Sequence, residues 1–209
     1  MDIKELIYLI PAILIAVSLH EFAHGYVSYK LGDPTPKATG RLSLNPLAHL
    51  DPVGTICLLF FHFGWAKPVQ VNPYYYKDKK RGMALVGLAG PMMNFLIALI
   101  CAFAIEVILK VTGGYGGDII VFMFKLFNYT YIINIGLGVF NLIPFPPLDG
   151  AKIIGALLPE ERYFKFMKYE RYGQLIIFAL LMFNFLDGPL MIARKGIDKI
   201  IWGIVKLFI

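Results

Sequence analysis

Residues 6–31, 83–111 and 119–143 of this chain are long, almost uncharged apolar runs. Each exceeds the ~20 residues that a helix needs to cross ~30 Å of hydrocarbon. A soluble core has no use for runs of that length, so these segments restrict the chain to a membrane architecture of packed helices. The bulk figures agree: 58% of the 209 residues are apolar and 16% charged, against roughly half and a quarter in soluble domains. The mean hydropathy is +0.66.

Several further elements follow from the pattern. Gly32, Pro34 and Pro36 end the first run, because proline cannot continue a helix. Residues 53–63 are apolar but too short to span, and predict a re-entrant or interfacial segment. Residues 65–73 alternate in strand fashion between two prolines, which predicts a small β-hairpin beside the helices. Residues 151–158 read as a short helix, 159–171 as a charged loop and 172–186 as a shorter span. Residues 197–209 read as an amphipathic interfacial helix. The expected fold is all-α and polytopic: a three-helix core plus extra helices, with the re-entrant segment and hairpin. Residues 1–209 form one domain, with the core in 6–150 and accessory C-terminal helices in 151–209.

Charge placement gives an orientation. Lys37, Arg41, Lys67 and the basic run 77–81 fall between spans one and two, and Lys152, Arg162, Lys165, Lys168 and Arg171 follow span three. The loop between spans two and three holds Asp118, with Lys110 at its edge. Basic loops stay inside, so the N-terminus is expected outside. The net charge of +6 therefore reports topology, and no basic stripe with exposed aromatics supports nucleic-acid binding. Residues 1–19 lack a basic leader and a cleavage site, so they read as a retained helix. Cys57 and Cys101 lie in apolar stretches and read as small buried hydrophobes.

Within the first run stands His20-Glu21-Phe22-Ala23-His24. Histidines four apart share one helix face and can bind one metal ion. Zinc lowers the pKa of bound water toward ~7, and Glu21, one residue on, can act as general base for peptide hydrolysis. Ionisable groups inside a membrane helix are functional candidates by default. A catalytic zinc takes three protein ligands and keeps one open position. Asp149, after a proline-broken helix end and before Gly150, is the leading third ligand, and His49, Asp51 and His62 are rivals. Asn94 and Asn141 need partners in hydrocarbon, either another helix or a substrate backbone or oxyanion. Gly87, Gly90, Gly136 and Gly138 suggest close helix packing.

These residues resemble the site-2 protease family of intramembrane zinc metalloproteases. The likeness runs through 20–24, the Gly90-Pro91-Met92-Met93-Asn94 block and 141–150, with 40–46 and 64–69 resembling a short bacterial or archaeal branch. It implies one zinc per chain on His20, His24 and Asp149, with Glu21 as base and Asn94 and Asn141 positioning substrate. It also implies membrane-protein substrates, a lipid bilayer setting and a site open to the cytoplasm. No segment is large enough for a PDZ or CBS domain, so control of that kind is expected to be absent or supplied by partners, a regulatory membrane partner or a homo-oligomer. His24 should lie roughly 10 Å deep, at 1.5 Å of rise per residue.

Two other classes fit parts of the pattern. A metal transporter would spread ionisable groups along successive spans, whereas here they gather at one site. A non-catalytic scaffold would not need every group for zinc hydrolysis. The re-entrant segment and hairpin are the candidates for admitting water and clamping an extended substrate.

Overall fold

A computed structural model of the chain describes residues 3–51, 54 and 67–209. The long apolar runs form α1 (Leu6–Lys30), α3 (Lys79–Thr112) and α4 (Asp118–Asn141), with the single turn α2 (Thr35–Ala38) between the first two. All three long helices are apolar enough to cross a membrane. No more than 33% of the residues in the most apolar window of each are buried. A helix that leaves apolar surface exposed on most of its circumference is built to face lipid. The chain is a multi-pass membrane protein.

Local sequence sets the ends. Beyond α1, Gly32 adopts φ +103° and Asp33 accepts the Thr35 N–H through Oδ1 at 2.9 Å. At the start of α3, the Asp78 Oδ1 accepts the Arg81 N–H at 3.0 Å, an N-cap that satisfies a donor the helix cannot. Gly113, left-handed at φ 59°, closes the other end.

Helix α3 is the central element, packed against α1, α4 and α5 (Asp149–Leu157). The buried core runs through Ile97, Ala98, Cys101 and Ala102 of α3 and Tyr131, Ile135 and Val139 of α4. Small residues allow the close approach: a Cβ on Gly138 would stand 2.6 Å from the Phe95 ring. Gly136 meets nothing within 4 Å, so the packing expected of it is not seen. Cys101 is buried and free.

The C-terminal part departs from expectation. The charged stretch contains a helix, α6 (Glu160–Met167), rather than a loop. Helix α7 (Glu170–Met182) then meets α8 (Asp187–Phe208), and the two apolar segments are bent by 88°. Helix α8 is longer than the segment 197–209. It docks on α3 and α4 through Ile201 and Val205, and the Tyr131 hydroxyl donates to the Asp198 Oδ1 at 2.8 Å.

The β-hairpin is a correction. Among the described residues there is no strand, only a single bridge position at Leu50. Residues 67–72 form no strand, and two of their backbone donors go to side-chain carboxylates. The Val69 N–H goes to the Glu21 Oε2 at 2.9 Å, the Asn72 N–H to the Asp33 Oδ2 at 2.7 Å, and the Lys67 N–H to the His49 carbonyl at 2.9 Å. Trp65 and Ala66, and the expected re-entrant segment 53–63 apart from Gly54, lie outside the described residues.

Candidate metal centre

Two turns of α1 place His20 and His24 on the face packed against α3. Helix α5 begins at Asp149, and its first turn is pressed toward them. Gly87 makes that possible, since a Cβ there would stand 2.9 Å from the Lys152 Cβ and 3.0 Å from the Asp149 carbonyl. Gly150 is needed for a similar reason: a Cβ would clash with the carbonyls of Leu142 and Ile143. The carboxylate thus comes close to both imidazoles although 129 residues separate it from His20.

The three ligand atoms form a near-regular triangle. His20 Nε2 and His24 Nε2 are 3.0 Å apart, and Asp149 Oδ2 lies 3.1 Å from the first and 3.0 Å from the second. All three residues are buried, at 5 to 6% exposure.

The outer nitrogens decide what the inner ones carry. His20 Nδ1 donates to the Asn94 Oδ1 at 2.6 Å, and His24 Nδ1 donates to the Val86 carbonyl at 2.6 Å. Both acceptors are oxygens without a proton, so in neutral imidazoles each Nε2 presents a lone pair. Two lone pairs and a carboxylate oxygen then face one another at about 3 Å. A positive charge must sit between them, and two imidazoles plus a carboxylate make the donor set of a catalytic zinc. Atoms held 2.0–2.1 Å from one ion on a tetrahedron stand about 3.3 Å apart, close to the triangle seen. Gly90 leaves the cradle open, since a Cβ would lie 2.5 Å from His20 Cε1 and His24 Nε2. The residues fit the metal.

Behind the ligands runs a buried polar relay. Asn94 is fully buried and donates its amide N–H groups to the Ala16 carbonyl at 3.1 Å and to the Asn134 Oδ1 at 2.8 Å. Asn134 donates in turn to the Thr130 carbonyl at 2.8 Å. Both Asn94 donors are used, and its oxygen accepts from His20 Nδ1. Such outer partners fix the tautomer and aim of a metal-binding imidazole. On the other side of the site, Lys152 Nζ donates to the Asp149 Oδ1 at 2.9 Å, leaving Oδ2 for the triangle.

The remaining candidates are more scattered. Glu21 is half-buried, with Oε2 on the Val69 N–H. Asn141 ends α4 and donates to the Leu137 carbonyl at 3.0 Å, apart from the relay. His49 is buried with Nε2 on the Ser43 carbonyl at 2.8 Å, and Asp51 Oδ1 accepts the Gly54 N–H at 2.8 Å. Neither joins the only metal-ligand cluster among the described residues. His62 lies outside those residues.

The chain is 38% identical over 208 residues to the Bacillus subtilis protein named "Putative zinc metalloprotease YwhC", covering 96% of this chain and 90% of that one. The sequence model of peptidase family M50 matches residues 111–184. The chain belongs to the site-2 protease family, peptidase family M50. Like other members it is a zinc metalloprotease. It is also 26% identical over 177 residues to "Zinc metalloprotease MJ0392" of Methanocaldococcus jannaschii, spanning 84% of this chain and 42% of that relative. A Mycolicibacterium smegmatis relative named "Putative zinc metalloprotease Rip2" is 25% identical over 182 residues, or 84% and 67% of the two chains. No solved structure gives a significant match.

Asn134 and Lys152 did not stand out in the sequence, though both carried a signal. Asn134 is an amide in the middle of an apolar span, the same feature that marks Asn94. Lys152 lies three residues after Asp149, within side-chain reach on a helix.

Proposed function

We propose that this protein hydrolyses peptide bonds in or near transmembrane segments of other membrane proteins, with one zinc per chain held by His20, His24 and Asp149. The observation that carries the reading is the 3.0–3.1 Å triangle of His20 Nε2, His24 Nε2 and Asp149 Oδ2, with both Nδ1 atoms committed to oxygen acceptors. Zinc supplies the Lewis acidity that makes hydroxide available near neutral pH. Glu21 takes the proton of the attacking water and returns it to the leaving amine. His20 is held in register by Asn94, and His24 by the Val86 carbonyl. Asn141, at the end of α4, faces substrate.

The N-terminus is outside and the site opens toward the cytoplasm. Two features support this: the basic residues at the C-terminal end of α1 and the N-terminal end of α3, and the scarcity of charge between α3 and α4. Residues 6–150 form the catalytic core, and 151–209 are accessory. A regulatory membrane partner or a second copy controls access.

The test is Glu21→Gln in purified protein against a model transmembrane substrate. Cleavage should fall by at least about a hundredfold, the range attached to a general base, with zinc content unchanged. Cleavage at the parent rate would remove Glu21 from the mechanism.

A further inference from the structure

The flank of α1 that carries Glu21 holds an arrangement that the metal centre does not use. Glu21, Gly25 and Ser28 follow at helical spacing and form one stripe. The extended segment 67–72 lies along it. Val69 N–H donates to the Glu21 Oε2 at 2.9 Å. Gly25 makes room for the segment: a Cβ there would stand 3.3 Å from the Val69 side chain and 3.2 Å from Leu42. Three residues after Val69, the Asn72 N–H donates to the Asp33 Oδ2 at 2.7 Å.

Asp33 is a hub. It is fully buried just beyond the end of α1 and accepts from Ser28 Oγ at 2.7 Å, from the Thr35 N–H at 2.9 Å and from the Asn72 N–H. Ser28 Oγ also meets the Tyr76 hydroxyl at 2.7 Å. The ring of Tyr76 packs so closely on Gly82 that a Cβ at Gly82 would clash with it. The segment is therefore held at Asn72 by a buried carboxylate clasp and at Val69 by Glu21, with the His49 carbonyl taking the Lys67 N–H.

We infer that Asp33 is a positioning residue for the hydrolysis, setting the register of residues 67–72 so that the Val69 N–H holds one carboxylate oxygen of Glu21 and leaves the other for proton transfer. The inference rests on Glu21 being the base. A glutamate has three side-chain torsions, and on a half-buried helix face nothing intrinsic selects one rotamer. A backbone N–H in a fixed strand-like segment does select one. Misplacement of a catalytic group by ~1 Å costs up to about a hundredfold in rate.

The experiment is a double-mutant cycle on the purified full chain, with Glu21→Gln run beside it. Val69→Pro removes the N–H that Glu21 accepts, at a position outside any helix or strand and already preceded by Pro68. Asp33→Asn loosens the clasp. Each should lower kcat by about tenfold, with KM and zinc content close to the parent. The double variant should be no worse than the poorer single one, since both act through one contact. Ser28→Ala, a milder change at the same clasp, should lower kcat by about threefold and decides the matter if Asp33→Asn does not fold. Additive losses, loss of zinc, or parental kcat in Asp33→Asn or Ser28→Ala would overturn the inference. Parental activity in Glu21→Gln would instead overturn the proposed function.

Discussion

His20 and His24 on one flank of α1 are aimed by groups inside neighbouring helices, whereas Glu21 on the adjoining flank is aimed by the backbone of an extended segment. On the histidine side the partners lie between α1, α3, α4 and α5, with Asn94 and Asn134 fully buried and Lys152 partly so, and the donors and acceptors close on one another. On the glutamate side the partner is Val69, whose place depends on a clasp at Asp33. Ligands that hold a metal need a geometry that never changes, and helix packing supplies it. In the proposed role of Glu21, a base that shuttles a proton needs water and space, and a segment outside the helix bundle allows both.

That contrast can be broken from the metal side first. Gly90→Ala puts a methyl 2.5 Å from both imidazoles, where backbone and ligands cannot yield cheaply. Zinc content should fall toward zero and cleavage by more than about a hundredfold. A fully loaded, active Gly90→Ala protein would mean that the cradle is not as rigid as its packing. A smaller effect is expected one layer back. Asn134→Leu leaves an Asn94 donor unpaired and weakens the hold on His20, so zinc affinity should drop about 10–100-fold, measured by competition with a chelator. Unchanged affinity would show that Asn94 is fixed by α1 alone.

The smallest effect concerns the other flank and is read as stability against pH. Burial raises the affinity of Asp33 for a proton, but hydrogen bonds from Thr35, Asn72 and Ser28 outweigh it and hold the carboxyl below its ordinary value. The neighbouring Tyr76 hydroxyl is pushed up by burial, so it stays a neutral partner across the working range. A carboxyl whose folded pKa lies below its unfolded one contributes stability that is fully present above the unfolded value of ~3.9 and lost as pH falls through the folded one. The parent should therefore be more heat-stable than Asp33→Asn at neutral pH, with the gap narrowing below about pH 4. A gap that stays constant down to pH 3 would mean that the clasp does not depend on the charge.

The sequence made some of this legible and concealed the rest for identifiable reasons. Spans were readable because hydrocarbon thickness leaves a helix no choice of length. The two histidines of the candidate site were readable because their spacing is local, and Asp149 as their neighbour because the proline-rich stretch before it breaks α4 and a glycine follows it. The hairpin was misread because alternation shows that a segment is extended but not what its donors pair with. The carboxylates of Glu21 and Asp33 compete with a partner strand, and they lie 48 and 39 residues from the positions they bind. Asn94 was noticed but its bond to His20 was not, since an amide in a span looks the same whatever partner it meets. The helix at Glu160–Met167 was missed because a dense run of charge resembles a loop.

The separation of the ligands along the chain has a consequence for biogenesis. A ribosome making this protein delivers His20 and His24 long before Asp149, and until α5 is packed on α3 the candidate site has only its two imidazoles. Tight metal capture must therefore wait for the last part of the core to dock. A chain that ends before Asp149 therefore carries two of the three groups of the candidate metal centre and lacks the third.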